Sequence, residues 1–127
     1  MGLNRSAAWI CAAVAGGATA ETVRHDGLSM APCLLPGDVL RLRALTAPPR
    51  PGCVLVVRLG ERLVAHRLVR WRADAVVLRG DANLVDDPPV RPDAIVGVVV
   101  AAARGGRLVP LRRSLLRRAL ARLRHAR

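Results

Sequence analysis

A serine with a glycine before it and a proline after it is the first candidate for chemistry along this chain. It is Ser29, in the segment GLSMAP of residues 27–32. A glycine-containing turn and a proline restrict the backbone around it, which can fix the direction of the hydroxyl. A hydroxyl is a weak nucleophile until a base accepts its proton. The chain contains no lysine, so only a histidine or a carboxylate can activate Ser29.

Three histidines are candidates for that base, and their settings differ. His66 lies in the strand-like segment LVAHRLV, where a rigid scaffold would hold its ring. His25 lies four residues before Ser29 in a polar segment, and His125 lies near the end of the arginine-rich segment 104–127. Because imidazole titrates at about pH 6.5, it can accept a hydroxyl proton at neutral pH and return it to a leaving amine. His66 is therefore the predicted general base.

The loop GDANLVDD of residues 80–87 supplies carboxylates that could orient the imidazole. These are Asp81, Asp86 and Asp87. In a Ser-His-Asp arrangement, the acid holds the ring and stabilises its protonated form. Gly, Asp and Asn are also common turn residues, so a solvated turn explains the same composition. The residues alone leave both interpretations open.

The segments that must position these residues predict a mainly β domain. Two leucines alternate with two arginines over residues 40–43, as in a half-buried strand. Residues 46–52, TAPPRPG, form a connection that neither a helix nor a central strand could contain. Gly60-Glu61 separates two apolar segments, CVLVVRL and RLVAHRLVRW, and predicts a β-hairpin. Two more strands are predicted in AVVLRG and in AIVGVVVAAA, residues 94–103, which suits a strand buried on both faces.

An uncharged apolar segment, residues 7–20, precedes this domain and predicts a short helix. With 14 residues and two adjacent glycines it is short for a membrane-spanning helix, which needs roughly 17 to 25 residues. A cleaved signal peptide would explain its length and its Ala18-Thr19-Ala20 ending. A helix packed on a soluble domain would explain the same composition. Membrane anchor, cleaved signal and packed helix all remain possible from the sequence.

The segment 104–127 differs from the rest of the chain in charge and in period. It holds nine arginines and no acid, so nine units of the net +12 charge lie there and only +3 elsewhere. Its leucines recur at helical spacing and its arginines take the other positions, which predicts a basic amphipathic helix. Such a helix can dock on the domain through its leucines or adsorb to an anionic membrane surface. Nucleic acid is a weaker candidate partner, because no aromatic side chain among the arginines could stack on bases.

The three cysteines, Cys11, Cys33 and Cys53, form neither a CxxC pair nor an even framework. They therefore indicate neither a zinc site nor a disulfide scaffold. We expect no cofactor and no metal.

Taken together and in order, these motifs resemble those of the type I signal peptidases. The resemblance covers residues 27–103 and rests on GLSMAP with PGD, then PGCVLVV, VAHRLV, RGDANLVDD and AIVGVVV. It is strongest to the archaeal and endoplasmic-reticulum branch, which uses histidine where most bacterial members use lysine. The resemblance implies that Ser29 is the nucleophile and His66 the general base. It also implies that Asp87 is the acid of the triad and Asp81 a second functional aspartate.

The same resemblance implies a fold and an activity. The expected fold is a mainly β catalytic domain over 27–103 with the serine near a hydrophobic groove, preceded by an apolar helix and linker over 1–26. The expected activity is that of a serine endopeptidase, which cleaves precursor or leader peptides after small residues. Such an enzyme would be membrane-associated with its catalytic domain on the extracytoplasmic side, whereas a cytoplasmic soluble protein is the alternative.

One departure from the family affects the expected oxyanion site. Gly27 stands where the family usually has a serine that donates to the oxyanion, and loss of such a donor can cost about 100- to 1000-fold in rate. Backbone N–H groups near Ser29 could compensate. Met30 is a candidate lining residue of the groove, although a buried methionine is the commoner case. A catalytically weak or inactive member that binds peptides or membranes is the alternative function.

Overall fold

The computed structural model describes residues 21–112, which form seven β-strands and one short 3-10 turn. No α-helix occurs within this range. The predicted apolar helix at 7–20 lies outside the described residues, as does the arginine-rich segment from residue 113 onward. The elements are β1 Glu21–Arg24, β2 Val39–Arg43, β3 Val54–Leu59, β4 Arg62–Arg72, β5 Ala75–Arg79, the turn Pro92–Ala94, β6 Ile95–Arg104 and β7 Arg107–Leu108.

All seven strands belong to one antiparallel sheet. Its order is β1-β2-β6-β3-β4-β5, and β7 pairs with β6. The mainly β prediction is confirmed. No helix between residues 21 and 112 has the length and apolar character needed to cross a membrane.

The strands extend beyond both predicted boundaries of the domain. β1 lies in the segment predicted to be a linker and pairs with β2, with Val23 opposite Leu40. At the other end, Arg104 closes β6 and pairs with Arg107 of β7. Gly105 and Gly106 join these two strands with positive φ angles of 58° and 79°, which glycine adopts at little cost. The sheet therefore includes the first residues of the segment that was predicted to be a helical tail.

The central hairpin agrees with the sequence prediction. β3 and β4 pair from Val54↔Arg67 to Leu59↔Arg62, with Leu55 opposite His66. Gly60 begins the turn at a φ of +65°, in the left-handed region that glycine favours. The alternation in β2 is also as predicted, since both of its leucines are fully buried and both arginines are exposed.

Two aliphatic clusters cover the sheet, and β4 contributes to both. The first contains Val23, Met30, Cys33, Leu34, Leu40, Leu42, Val54, Val56, Leu63, Ala65, Val99 and Ala102. The second contains Leu55, Val57, Val64, Leu68, Val76, Leu78 and Val90. Successive side chains of a strand point to opposite faces, so residues 63–68 of β4 are buried on both sides. β6, predicted to be buried on both faces, is only partly so, because Val100 is 38% exposed.

Candidate active site

Ser29 lies in the turn between β1 and β2, and packing holds that turn in place. Ala31 N–H donates to Leu28 O at 3.1 Å, and Leu34 N–H donates to Met30 O at 2.9 Å. Met30 and Leu34 are fully buried in the first cluster and fix the turn to the core. Ser29 itself is 3% exposed, so its hydroxyl is well shielded from bulk water.

His66 presents its imidazole to this serine from the middle of β4. Its Nε2 lies 3.0 Å from Ser29 Oγ, within hydrogen-bond reach. On the other side of the ring, Nδ1 contacts Oδ2 of Asp87. With Asp87 accepting a hydrogen bond from Nδ1–H, the neutral ring turns the lone pair of Nε2 toward the serine hydroxyl. This is the tautomer that a general base requires.

Asp87 is held in this position by the end of β5. Its backbone N–H donates to Leu78 O at 2.7 Å. Three residues later, Val90 forms a two-way backbone bridge with Val76, both hydrogen bonds being 2.8 Å long. The loop is thus attached to β5 on the carboxyl side of Asp87, so the distance between this acid and His66 is fixed by the sheet.

Asp81, predicted to be a second functional aspartate, contacts Arg67 rather than His66. Arg67 Nε and Nη2 donate to its two carboxylate oxygens, each at 2.8 Å, and both side chains are buried. Burial alone would lower the pKa of Arg67, but its hydrogen bonds to Asp81 and the charge of that carboxylate raise the pKa above its usual value. The carboxylate in contact with the imidazole is that of Asp87, whereas the oxygens of Asp81 accept from the guanidinium.

Arg67 is the residue of this site that the sequence did not reveal. It also donates to Gly52 O at 2.8 Å and lies 3.3 Å from Cys33 Sγ. Burial raises the pKa of the Cys33 thiol despite the nearby guanidinium. An arginine within an apolar strand such as LVAHRLV can lie on a buried face of the sheet, and a buried arginine needs an acidic partner. That signal was present, but the identity of the partner was not.

The turn that begins at Gly80 packs against the backbone of the nucleophile. Ala82 N–H donates to Ser29 O at 2.9 Å, and Asp81 N–H lies 3.4 Å from Met30 Sδ. A Cβ at position 80 would lie 2.5 Å from Ser29 O, closer than real contacts allow. Gly80 is therefore required for this close approach rather than for an unusual backbone angle.

Gly27 and Met30 are the residues that were predicted to lie at the oxyanion site and in the substrate groove. Gly27 lies at a φ of +89° and offers no side-chain donor. Within residues 21–112 the backbone N–H of Ser29 donates to no backbone carbonyl. Met30 does not line a groove, because its fully buried side chain belongs to the aliphatic core.

His25 is buried near the site but lies outside the triad. Neither of its ring nitrogens has a hydrogen-bond partner among the described residues. Burial lowers its pKa, although Asp38 and Asp26 act in the opposite direction. Its backbone pairs with that of Asp38, whose side chain accepts two 2.8 Å hydrogen bonds from Arg104. His125 lies outside the described residues.

Between residues 21 and 112, no group of His, Cys, Asp and Glu side chains is placed to hold a metal ion. Comparison of the chain with family models, with curated proteins and with solved structures finds no match.

Proposed function

We propose that this protein is a serine endopeptidase of the signal-peptidase type, with Ser29 as nucleophile, His66 as general base and Asp87 as the orienting acid. The observation that carries the proposal is the 3.0 Å approach of His66 Nε2 to Ser29 Oγ, with Asp87 on the opposite ring nitrogen. Three residues far apart in the chain meet in the order that acyl transfer requires.

The geometry supports a two-step mechanism. Ser29 Oγ attacks the peptide carbonyl carbon while His66 Nε2 accepts the hydroxyl proton, and the carbonyl oxygen becomes an oxyanion. When the intermediate collapses, the C–N bond breaks and His66 gives that proton to the leaving amine, which leaves an ester on Ser29. Water then attacks the ester with His66 again as base, and the acid product leaves with Ser29 restored. Asp87 stabilises the imidazolium in both steps.

The backbone N–H of Ser29 is the proposed oxyanion donor. It belongs to the nucleophile itself, so it is close to any carbonyl group whose carbon Oγ attacks. In this proposal it takes over part of the role that a serine at position 27 plays in the family. Because Gly27 has no hydroxyl, catalysis would depend on backbone donors, and each such donor is worth about 100- to 1000-fold in rate.

The proposed substrates are precursor or leader peptides with small residues at the first and third positions before the cut. This preference, a signal-peptidase-like fold and an extracytoplasmic, membrane-associated location are carried by the motif resemblance over residues 27–103. A cytoplasmic soluble enzyme acting on the leaders of small peptides is the alternative. Adsorption of the arginine-rich segment to anionic lipid is proposed as an additional membrane contact.

The test is cleavage of a peptide with Ala-x-Ala before the cut. Ser29→Ala and His66→Ala should each lower kcat/KM by more than about 1000-fold, since removing either half of the pair disables the proton transfer. Arg62→Ala, an exposed change on the same strand as His66, is the matched control and should keep full activity. Undiminished cleavage by either active-site variant would show that the assignment is wrong.

A second candidate is a non-enzymatic peptide-binding or membrane-binding member of the same fold, and Gly27 favours it. A serine-reactive phosphonate probe separates the two functions. Labelling that appears in the wild type and disappears in Ser29→Ala supports the enzyme. Absence of labelling, together with retained binding of peptides or vesicles, supports the second candidate.

A further inference from the structure

Within residues 21–112, three of the four large apolar side chains that are exposed over more than half of their surface lie in the two segments that carry Ser29 and Asp87. The four are Leu28 at 65%, Leu84 at 74%, Val85 at 75% and Leu108 at 82%. Leu28 directly precedes the nucleophile, and the next two lie in the loop between Gly80 and Asp87. Leu28, Leu84 and Val85 are called the apolar rim below.

The loop that carries Leu84 and Val85 is held firmly on its amino side. The Asp81 carboxylate forms its buried ion pair with Arg67. The next residue, Ala82, donates its N–H to the carbonyl of Ser29, at 2.9 Å. The contact between this loop and the backbone of Ser29 is therefore only two residues before Leu84.

The same loop is held equally firmly on its carboxyl side. Asp86 pairs with Arg70 at 2.8 Å and with Arg79 at 3.3 Å. Asp87 contacts the imidazole of His66. Every acidic residue of the loop is thus engaged, and the two aliphatic residues between them face solvent. A single exposed aliphatic residue is common on protein surfaces. An adjacent exposed pair is less common when the loop on one side of it contacts the backbone of Ser29 and on the other side contacts the imidazole of His66.

We propose that the apolar rim contacts the substrate and selects polypeptides with aliphatic side chains at the positions that flank the small residues of the cleavage site. The inference rests on the proposed function and adds to it a substrate class. A chain whose carbonyl carbon lies at Ser29 Oγ must pass the residue before Ser29 and the loop tied to its carbonyl. Water is released from both surfaces when aliphatic side chains meet there. The anchors on both sides mean that little loop entropy is lost on binding.

The experiment measures binding on the Ser29→Ala background, so that no cleavage interferes. Two fluorescent peptides share Ala-x-Ala before the cut and differ in the flanking positions, which are leucine in one and serine in the other. We expect Ser29→Ala to bind the leucine peptide about tenfold more tightly, from partial burial of two or three aliphatic side chains. Adding Leu84→Ser and Val85→Ser should remove this preference and leave the affinity for the serine peptide within about twofold.

Leu108→Ser on the same background is the matched control, because it removes an equally exposed leucine from β7. It should leave the preference unchanged. Equal affinities for the two peptides, or a preference that survives both loop substitutions, would overturn the inference. So would loop variants that lose binding to vesicles of phosphatidylcholine and phosphatidylglycerol but keep the peptide preference, since the rim would then contact lipid. Wild-type protein that binds the leucine peptide without cleaving it would instead contradict the proposed enzymatic function alone.

Discussion

Asp87 and Asp81 lie six residues apart in one loop, yet their carboxylates contact different side chains. Asp87 accepts from the imidazole of His66, whereas Asp81 accepts from Nε and Nη2 of Arg67. The difference follows from β4, where His66 and Arg67 are consecutive and point to opposite faces. Each face of the strand therefore receives one acid of the loop.

Asp87→Asn should abolish most activity while leaving the fold intact. An asparagine amide that donates to Nδ1 would favour the tautomer with the proton on Nε2, which cannot accept from Ser29. In a Ser-His-Asp mechanism this costs about 10,000-fold in kcat. Steady-state cleavage assays and thermal unfolding of the same sample provide the measurement. Activity within tenfold of wild type would mean that the acid is not part of the mechanism.

At the residue level, the sequence predicted Ser29, His66 and Asp87, which the structure brings into contact, but it did not predict the partner of Asp81. The lack of lysine and the strand setting of His66 indicated the histidine that contacts Ser29. The choice between Asp81 and Asp87 as orienting acid depended on which carboxylate met Arg67, and that contact joins segments 14 residues apart. No local pattern encodes it.

Among the elements, the loop after β5 carries both the acid that contacts His66 and the acid of the buried ion pair with Arg67. Asp81→Asn should lower the free energy of unfolding by about 3 to 5 kcal/mol, because Arg67 would stay buried without a compensating charge. Urea titration followed by circular dichroism measures this.

The double variant Arg67→Met with Asp81→Leu is the control for this loss. Replacing both charges with apolar groups should recover much of the stability, although the hydrogen bond to Gly52 O is also lost. If Asp81→Asn alone proves as stable as the wild type, the pair does not hold the loop.

Gly80→Ala tests the close approach between this loop and the Ser29 turn. The added methyl would meet the Ser29 carbonyl at 2.5 Å, so one of the two backbones must move. We expect kcat/KM to fall by more than about tenfold, because an ångström-scale displacement of a catalytic group can cost about 100-fold. Gly60→Ala is the control: its site has open space, and its positive φ should cost only about 1 kcal/mol of stability with activity kept.

The strands differ in how well the sequence predicted them, and burial explains why. β2 and the β3–β4 hairpin have an alternating pattern or a glycine turn, and both were predicted. In β1, Val23 is buried between exposed Thr22 and Arg24. One apolar residue between two polar ones is too short a segment to show the alternation of a strand. β7 has only two exposed residues, and its arginine merges with the arginine-rich segment that follows.

For the whole molecule, the buried imidazole of His25 predicts a dependence of stability on pH. Burial lowers its pKa below the ordinary value of 6.5, so the unfolded chain binds a proton more readily than the folded chain. The free energy of unfolding should therefore be highest above pH 6.5 and fall as the pH is lowered through 6.5 toward the folded-state pKa.

Urea titrations at pH 7.5 and at pH 5.5 would measure this difference. His25→Leu removes the titrating group and should reduce the loss of stability between the two pH values. Val23→Ala, a neighbouring core change on β1, should lower stability equally at both. A loss that is identical in wild type and His25→Leu would exclude His25 as its source.

A second acid-sensitive element acts at lower pH. Burial alone would raise the pKa of Asp38, but hydrogen bonds from Arg104 and from Leu35 N–H, with the charge of Arg104, lower it below 3.8. Its contribution is present above pH 3.8 and is lost as the pH falls through the folded-state pKa. The two groups therefore act in separate pH ranges.

Strand β4 also limits how the length of this protein can vary. Since adjacent side chains alternate between faces, deletion of one residue between Arg62 and His66, with the later pairing shifted to match, would bring Arg67 to the place of His66. A guanidinium cannot accept a proton, and the serine would face a permanent cation. Removal of two residues would keep each side chain on its own face but would bring Leu68 to the place of His66. Insertions and deletions between Arg62 and His66 should thus abolish cleavage, whereas a change of length in the turn between β4 and β5 leaves the position of His66 unchanged.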